Sequence, residues 1–424
     1  MIPNSWRKTK LGVMAKTVTS GSRDWAKYYS DSGSKFIRMT NLRRDGIHLK
    51  LDDLRYVNVQ SDSSDGKRTS LQYGDILISI TAELGKIGFI PEDFGEAYIN
   101  QHTALVRLKR SKVNPMYVAY LLSSKAMNNT INRLNDSGAK AGLNLPTIRS
   151  IPIYIPSLNE QNKIAKILST WDKAIETTEK LVANSQQQKK ALMQQLLTGK
   201  KRFAEFVSSC EVRKTRYGDI PMDWGFIPIA ELANQITKKN VEKSSYPVLS
   251  CSKHEGFVDS LTYFKKKVYS DDTSNYNVVE KNTFAFPSNH IEEGSIGYQD
   301  IYDIGIVSPI YTVFKANNKV NDNYLYKLLK TEHYRQIFSA ATNASVDRRG
   351  SLRWKEFSKI RVPLPSIEEQ VRIADVLIIA DQEIKELQGN LQFFKQEKKA
   401  LMQQLLTGKL RVKVDDVNSA KGAE

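Results

Sequence analysis

The feature that most constrains this chain is a long internal repeat. Residues Lys189–Lys200 return, residue for residue, as Lys398–Lys409, which lies 209 positions further along. The segment Pro156–Gln161 returns as Pro365–Gln370 at the same offset, and 22 of the 45 positions aligned from 156 to 200 are identical. Two copies are too few for a solenoid, so the repeat predicts a duplicated unit with a variable part and a constant part.

The repeat continues more faintly through the variable parts. Ile2–Trp6 is matched by Ile220–Trp224, and Asn114–Tyr117 by Asn321–Tyr324. We therefore predict a first globular domain at 1–155, a central long helix with its linker at 156–215, a second globular domain at 216–364, a C-terminal long helix at 365–410 and a tail at 411–424.

The two constant parts are predicted to be long helices. In each copy, positions alternate four and three residues apart, which is the 3.5-residue period of a coiled-coil seam. The seam positions are Ile164, Leu168, Trp171, Ile175, Thr178, Val182, Ser185, Lys189, Leu192 and Leu196 in the first copy, and Ile373, Leu377, Ala380, Ile384, Leu387, Leu391, Phe394, Lys398, Leu401 and Leu405 in the second.

Both helices have start and stop signals. Ser157 with Glu160 predicts a capping box at the first helix, and Ser366 with Glu369 predicts one at the second. A glycine follows each helix, at 199 and 408, where a left-handed residue ends helices.

The simplest partner for one seam is the other seam. We expect an antiparallel coiled coil that relates the two globular domains by a pseudo-twofold axis, and an α+β fold overall. Two alternatives stay open: each helix packs on its own globular half, or the two helices pair in parallel.

The charge of the chain favours a polyanionic partner. Lys and Arg number 63 and Asp and Glu 46, which gives a net charge of +17. Residues 1–155 carry +10 and residues 365–424 carry −1, so nucleic acid is expected on the globular parts. With two cysteines and no run of 18 apolar residues, we expect a cytoplasmic protein and neither a membrane protein nor a secreted disulfide protein.

Several predicted loops mix basic, amide and aromatic side chains, which read base edges or hold phosphates. An ordinary solvated turn is the alternative for any one of these loops, so the prediction rests on their number and on the net charge. The candidate DNA-binding residues are Arg23, Trp25, Lys27, Tyr28, Arg38, Lys86, Lys140, Asn144, Lys238, Lys239, Asn289, His290, Arg348, Arg349 and Ser351.

Signatures of catalysis are missing from the sequence. It contains no Gly-x-Gly-x-x-Gly motif and no Asn-Pro-Pro-aromatic or Asp-Pro-Pro-aromatic motif, and its five histidines lack metal-ligand spacing. Glu383-Ile384-Lys385 has the Glu-x-Lys form of some nucleases, but it falls on a predicted helix and is interpreted as a solvated face. We predict no catalytic residue, no metal site and no cofactor in this chain.

Together these residues resemble the specificity (S) subunit of type I restriction–modification systems. The resemblance covers essentially the whole chain, and its most specific parts are the Pro-x-x-x-Glu-Gln openings and the Lys-x-Leu-Met-Gln-Gln-Leu-Leu-Thr-Gly-Lys closings. It implies that the domains at 1–155 and 216–364 are target-recognition domains, each reading one half of a bipartite site in double-stranded DNA. It further implies two methyltransferase subunits and endonuclease/translocase subunits as partners. It also implies that S-adenosylmethionine, ATP and Mg²⁺ belong to those partners and that the helices act as a ruler. Inserting residues into a helix should then change the spacer of the recognised site.

Three other interpretations remain. One is the specificity chain of a different restriction class, whose partner is a fused nuclease–methyltransferase. Another is a coiled-coil scaffold that binds DNA without sequence preference. The third is a stand-alone nuclease, which would cut DNA in the presence of Mg²⁺, and we expect the purified chain not to do so. If the resemblance holds, Arg348→Ala and Arg349→Ala should each weaken the second half-site by about 1–3 kcal/mol where they contact a base.

Overall fold

The computed structural model describes residues 3–23, 25–59, 63–135, 142–253, 255–342 and 351–413. The chain packs as two units. Unit 1 comprises residues 1–179 and 389–424, and unit 2 comprises residues 180–388. Residues 389–413 therefore pack with the first unit. The two packing units are not the same divisions as the five predicted segments, whose bounds stay predictions.

The globular part of unit 1 contains ten strands and five helices within its described residues. The strands are β1 (Arg7–Lys10), β2 (Ala15–Ser20), β3 (Tyr29–Ser30), β4 (Ser34–Ile37), β5 (Arg55–Val57), β6 (Ile76–Ser79), β7 (Ile87–Phe89), β8 (Ala97–Ile99), β9 (Thr103–Leu108) and β10 (Pro152–Ile155). The helices are α1 (Leu11–Met14), α2 (Ser64–Thr69), α3 (Pro115–Ser123), α4 (Lys125–Arg133) and α5 (Leu145–Ser150).

Two four-stranded sheets organise unit 1. The first is antiparallel with the order β2-β9-β6-β7, and the second has the order β3-β5-β4-β8 with β4 and β8 parallel. Strands β1 and β10 form a separate antiparallel pair. The side chains of β6 are buried along its whole length because it is an inner strand of the first sheet.

The globular part of unit 2 repeats much of this plan within its described residues. After the long helix α6 (Leu158–Leu196), its strands are β11 (Val212–Thr215), β12 (Gly218–Pro221), β13 (Gly225–Pro228), β14 (Ala233–Ile236), β15 (Leu249–Ser252), β16 (Gly256–Asp259), β17 (Asn277–Glu280), β18 (Phe284–Pro287), β19 (Gly297–Tyr298), β20 (Ile304–Val307), β21 (Tyr311–Ala316) and β22 (Arg361–Leu364). Its helices are α7 (Ser260–Phe264), α8 (Asp322–Leu329), α9 (Glu332–Ala341) and α10 (Trp354–Phe357), and the second long helix is α11 (Ile367–Leu405).

The same sheet recurs in unit 2. Strands β14-β21-β18-β19 form an antiparallel sheet in the order in which β2-β9-β6-β7 form theirs, and β13 pairs with β22 as β1 pairs with β10. The other strands form three two-stranded pairs, β11-β12, β15-β16 and β17-β20. The sequence repeat is therefore a repeat of architecture, although most of the variable residues differ.

Each unit closes its own core with segments of both long helices. In unit 1, Ile164 and Leu168 of α6 and Leu405 of α11 join the core beneath the first sheet. In unit 2, Leu196 of α6 and Ile373 of α11 join the corresponding core. All twenty seam positions predicted from the sequence are buried or half-buried, as a coiled-coil seam requires.

The two long helices run antiparallel within each unit. In unit 1, Asp172 pairs with Lys398, and Glu179 pairs with Lys395 at 2.6 Å. In unit 2, Lys189 pairs with Asp381. Residue numbers rise along one helix as they fall along the other, which confirms the predicted α+β fold with antiparallel long helices.

No helix in the described ranges combines the length and the hydropathy needed to cross a membrane.

Candidate nucleic-acid interface

Predicted DNA-binding residues that lie far apart in the sequence come together at one place in unit 2. The backbone N–H of Leu352 donates to the carbonyl oxygen of Ser288 at 2.8 Å, which joins the end of β18 to the segment before α10. Side chains from both segments then line an open groove of about 880 Å³. Its polar wall includes Lys239, Asn289 and Ser351, three of the predicted DNA-binding residues.

The groove offers the chemistry of base recognition. Asn289 Oδ1 is buried and has no hydrogen-bond partner among the described residues. A buried amide oxygen without a partner is costly, and asparagine amides pair with base edges in DNA grooves. Lys239 is exposed, and its Nζ donates to the backbone oxygen of Asn275 at 3.1 Å.

Unit 1 has the same backbone connection. The N–H of Leu143 donates to the carbonyl oxygen of Ile80 at 2.9 Å, and Thr81 forms an isolated bridge with Gly142. Thr81 Oγ1 also lies 2.8 Å from Nδ1 of His102. The segment that leads to Lys86 and the described residues just before Asn144 therefore meet, as their counterparts in unit 2 do.

The other predicted residues of unit 1 have varied environments. Arg23 and Lys27 are exposed, and Lys27 Nζ lies 4.8 Å from the ring centroid of Tyr28. Arg38 donates to Oδ2 of Asp53 at 2.7 Å, and this hydrogen bond and the positive charge hold the pKa of that carboxyl below its usual range. The side chains of Arg23 and Lys27 thus face solvent, and the side chain of Arg38 takes part in an exposed ion pair.

Trp25 requires a correction. Its side chain is only 4% exposed and packs on Phe36 with ring centroids 4.8 Å apart, in a cluster with Val57 and Tyr98. The indole ring therefore belongs to a small hydrophobic core and is unavailable to stack on a base. The prediction relied on the polar residues next to Trp25 in the sequence, whereas the large apolar ring of Trp25 is buried among apolar side chains.

Several further candidates already have partners in the chain. Lys86 pairs with Glu83, and Lys238 pairs with Glu280 at 2.7 Å. Asn144 caps α5 by accepting a hydrogen bond from the N–H of Thr147 at 2.8 Å. Lys86 and Lys238 can leave their glutamates and bind phosphates instead. Asn144, in contrast, has a structural function as a helix cap that the prediction did not include.

The remaining candidates divide into two groups. His290 Nδ1 lies 3.2 Å from Glu293 Oε1, and one ligand atom from each of His290, Glu292 and Glu293 falls within 4.8 Å of the others. We interpret this small cluster as a hydrogen-bonded surface turn. Lys140, Arg348 and Arg349 lie outside the described residues.

The groove also contains residues that the sequence analysis missed. Thr237 lies just before Lys238, and Arg353 lies two residues after Ser351. Both are polar residues within two positions of a predicted DNA-binding residue, so the sequence contained a signal for them. Tyr311 was missed because it belongs to β21 and reaches the groove only through strand pairing.

The repeated Pro-x-x-x-Glu-Gln motif fastens each unit together. In unit 2, Gln370 Oε1 accepts from the N–H of Asn321 at 2.7 Å, and Gln370 Nε2 donates to the oxygen of Pro365 at 2.9 Å. In unit 1, Gln161 makes the same two bonds at 2.9 Å each, with Asn114 and Pro156.

The glutamates of this motif bind arginines that follow the other helix. Arg202 donates two hydrogen bonds to Glu369 in unit 2, both at 2.8 Å. Arg411 donates two to Glu160 in unit 1, at 2.6 and 2.9 Å. The capping boxes are therefore half correct: Ser157 and Ser366 accept the expected backbone N–H bonds, but the carboxylates are used elsewhere.

A second repeated contact joins the two long helices, between Asp172 and Lys398 in unit 1 and between Asp381 and Lys189 in unit 2. Asp172 accepts hydrogen bonds from Lys398 and Tyr120 and lies 3.2 Å from His48 Nε2. Burial raises the pKa of Asp172, but the hydrogen bonds from His48 and Lys398 and the charge of Lys398 outweigh burial, so the pKa lies below its usual 3.8. Lys398 is a charged residue at a position of the apolar seam, and its charge is thus balanced by a carboxylate of the opposite helix.

Duplicated sheets, antiparallel long helices and paired polar loops define a two-repeat recognition subunit. The family described as "Type I restriction modification DNA specificity domain" matches residues 3–184 and 221–392. The chain belongs to this family. It is therefore a specificity subunit, a DNA-recognition component, and the prediction that it is not itself an enzyme is confirmed by its relatives.

Individual relatives extend over most of the chain. It is 27% identical to "Putative type I restriction enzyme MjaX specificity subunit" of Methanocaldococcus jannaschii, over 97% of this chain and 95% of that protein. It is 28% identical to the type I restriction enzyme MjaVIII specificity subunit of the same organism, over 62% and 63%.

Solved structures share the fold. The S subunit of a type I restriction–modification system from M. genitalium superposes with a TM-score of 0.58 at 15% identity, and the comparison covers 95% of this chain and 96% of that one. A chain from a study of complex assembly and conformational transition in the type I R-M system gives 0.53 at 16% identity, over 97% and 100%.

Proposed function

We propose that this chain reads a bipartite site in double-stranded DNA, with one half-site assigned to each unit. The observation that carries the proposal is the recurrence of one loop junction in both units, at Ile80–Leu143 and at Ser288–Leu352. Two corresponding surfaces with different side chains suit two half-sites of different sequence, as modular DNA readers use one module for each subsite.

The charge distribution supports a phosphate-rich ligand. Residues 1–155 carry a net +10 within a chain of net +17. Electrostatic attraction to phosphates supplies much of the affinity of DNA-binding proteins, and base contacts within the grooves then select the sequence.

We also propose that two copies of a methyltransferase subunit dock on equivalent surfaces of the repeated closings. Lys190, Gln194 and Lys200 are exposed, and their identical counterparts in the second copy are exposed as well. Helix packing does not require identity at exposed positions, whereas binding the same partner twice does. A purified complex should contain two methyltransferase subunits for each specificity chain, and a 1:1 ratio would count against this proposal.

The reactions then belong to the partners. We propose that methyltransferase subunits bring S-adenosylmethionine and that endonuclease/translocase subunits bring ATP and Mg²⁺. This chain supplies recognition and positioning.

Methylome sequencing of a host with and without the gene tests the DNA-reading proposal directly. We expect one split motif to lose methylation when the gene is removed. Loss of no motif would contradict sequence recognition and favour the scaffold alternative. A motif that depends on a single fused nuclease–methyltransferase partner would favour the other restriction class.

A further inference from the structure

A short segment of unit 2 exposes apolar and basic side chains next to each other. Leu261 is 53% exposed, Tyr263 46% and Phe264 43%, although all three lie on the short helix α7. The rings of Tyr263 and Phe264 meet edge to face with centroids 5.1 Å apart. Exposed apolar side chains grouped in this way mark a surface that binds something.

Three lysines follow directly at 265–267. Lys265 has a φ of 54°, which turns the chain out of α7. Lys267 pairs with Asp271, whereas neither Lys265 nor Lys266 has an acidic partner among the described residues. Two uncompensated cations beside an apolar surface match the phosphates and sugars of a nucleic-acid backbone.

Both ends of the segment are anchored to the sheet. The N–H of Ser260 donates to the oxygen of Val248 at 2.9 Å, and its hydroxyl lies 2.6 Å from that of Ser250. At the other end, the N–H of Ser270 donates to the hydroxyl of Tyr276 at 3.2 Å. The segment between these anchors is therefore held in place and presents its side chains outward.

The second anchor leads directly into the groove. Tyr276 precedes Asn277, which lines the groove and pairs with Lys239 as an isolated bridge. The side chain of Asn240 also donates to Thr273 Oγ1 at 3.4 Å. The exposed segment and the groove are thus continuous through 270–277.

We propose that residues 261–268 bind the backbone of duplex DNA beside the half-site read by the groove of unit 2. This inference rests on the proposed function. Lys265 and Lys266 contact phosphates, while Tyr263 and Phe264 pack on sugars or at the minor-groove edge, as apolar side chains of DNA-binding proteins do. The contact adds affinity without selecting sequence.

The charge contribution is tested with Lys265→Ala/Lys266→Ala in the full chain. Binding to a fluorescent 30-base-pair duplex of mixed sequence is measured by anisotropy across a range of salt concentrations. Loss of two phosphate contacts should reduce the slope of log K against log salt by about 1.8 and weaken binding by about 10- to 60-fold at 0.1 M salt. Lys163→Ala/Lys166→Ala removes the same charge from exposed positions on α6 and serves as the control.

The apolar contribution needs a separate variant. Tyr263→Ser/Phe264→Ser should weaken binding to the same duplex by about tenfold and leave the salt slope unchanged, because no ionic contact is lost. Thermal melting by circular dichroism verifies that the variant remains folded. The lysine variant does not depend on this check, since its side chains are exposed.

The outcomes separate this inference from the proposed function. If the unaltered chain binds the duplex and the lysine variant matches its control, the inference is overturned and the proposed function is untouched. If the unaltered chain does not bind DNA, the proposed function itself fails. If the aromatic variant keeps its DNA affinity but no longer assembles with partner subunits, the surface is a protein interface and the inference is overturned.

Discussion

At the scale of single residues, local sequence correctly identified polar positions but not their partners. Ser157 was predicted to cap α6 and does, because the accepting group and the donor lie three residues apart. The partner of Glu160 is Arg411, which lies 251 residues away, and no local pattern reveals such a contact. Trp25 was misassigned for a similar reason: its neighbours in space are apolar, whereas its neighbours in sequence are polar.

Asn289 is predicted to select a base. Asn289→Ala should relax the preference at one base pair of one half-site, at a cost of about 1–3 kcal/mol for the preferred base, because the amide can no longer pair with a base edge. Lys239→Ala should instead weaken all sequences equally. Selection from a randomised duplex library measures both effects, with Asn234→Ala, an exposed position outside the groove, as the control. An unchanged library profile for Asn289→Ala would remove this residue from the reading surface.

The two arginine–glutamate pairs are predicted to differ in strength. Arg202 is 7% exposed beside a Glu369 that is 1% exposed, whereas Arg411 is 48% exposed. Arg202→Ala should cost about 3–5 kcal/mol because it leaves a buried carboxylate without its cation. Arg411→Ala should cost less, since water reaches the vacated space, and equal losses in urea unfolding would contradict this reasoning.

At the scale of elements, period and repetition predicted the helices, whereas boundaries depended on single capping residues. The apolar period over 324–338 taken alone predicts a single helix, but the structure has α8 and α9, separated at Lys330 and Thr331. Thr331 accepts a hydrogen bond from the N–H of Tyr334 at 3.3 Å and starts the second helix. The residue that divides the helices was visible in the sequence, but the apolar period continues across it.

The contacts between helices are predicted to make stability depend on acid. In Asp381, burial raises the pKa, but hydrogen bonds from Lys189 and Lys327 and their charges bring it below its usual 3.8. A carboxyl with a lowered pKa in the folded state stabilises fully above about pH 4 and loses that contribution as pH falls through the folded pKa. Asp172 behaves in the same direction.

Asp172→Asn should therefore cost stability at pH 7 and flatten the dependence on acid. We expect a loss of about 3 kcal/mol, because Lys398 is left buried without a counter-charge, and a smaller loss for Asp381→Asn, whose carboxylate is more exposed. Thermal melting at pH 7 and pH 3 measures both. Asp375→Asn, exposed on α11, is the control, and a variant that keeps the full pH dependence would refute the assignment.

At the scale of the whole molecule, the duplication was evident in the sequence, but the way the chain closes was not. The sheet order recurs in both units, as the repeat suggested. What the repeat did not show is that residues 389–413 pack with the first unit. Gly408 lies against Pro3 and Trp6, just as Gly199 lies against Pro221 and Trp224.

Exchanging residues 1–150 for those of another family member should change one half of the recognised motif and leave the other half intact. The physical reason is that each unit has its own core and its own loop junction. Methylome sequencing of a host carrying the exchanged chain reports both halves at once. A change in both halves would show that recognition is not divided between the units.

The core of unit 1 contains Leu405 and Leu406 together with Trp6 and Leu11. During synthesis on the ribosome, Trp6 and Leu11 must therefore wait for Leu405 and Leu406 to complete their core, whereas the contiguous unit 2 can mature beforehand. A chain that terminates before Leu405 would leave the apolar surface around Trp6 without its closing leucines. We expect such a chain to be degraded faster than one that contains both leucines.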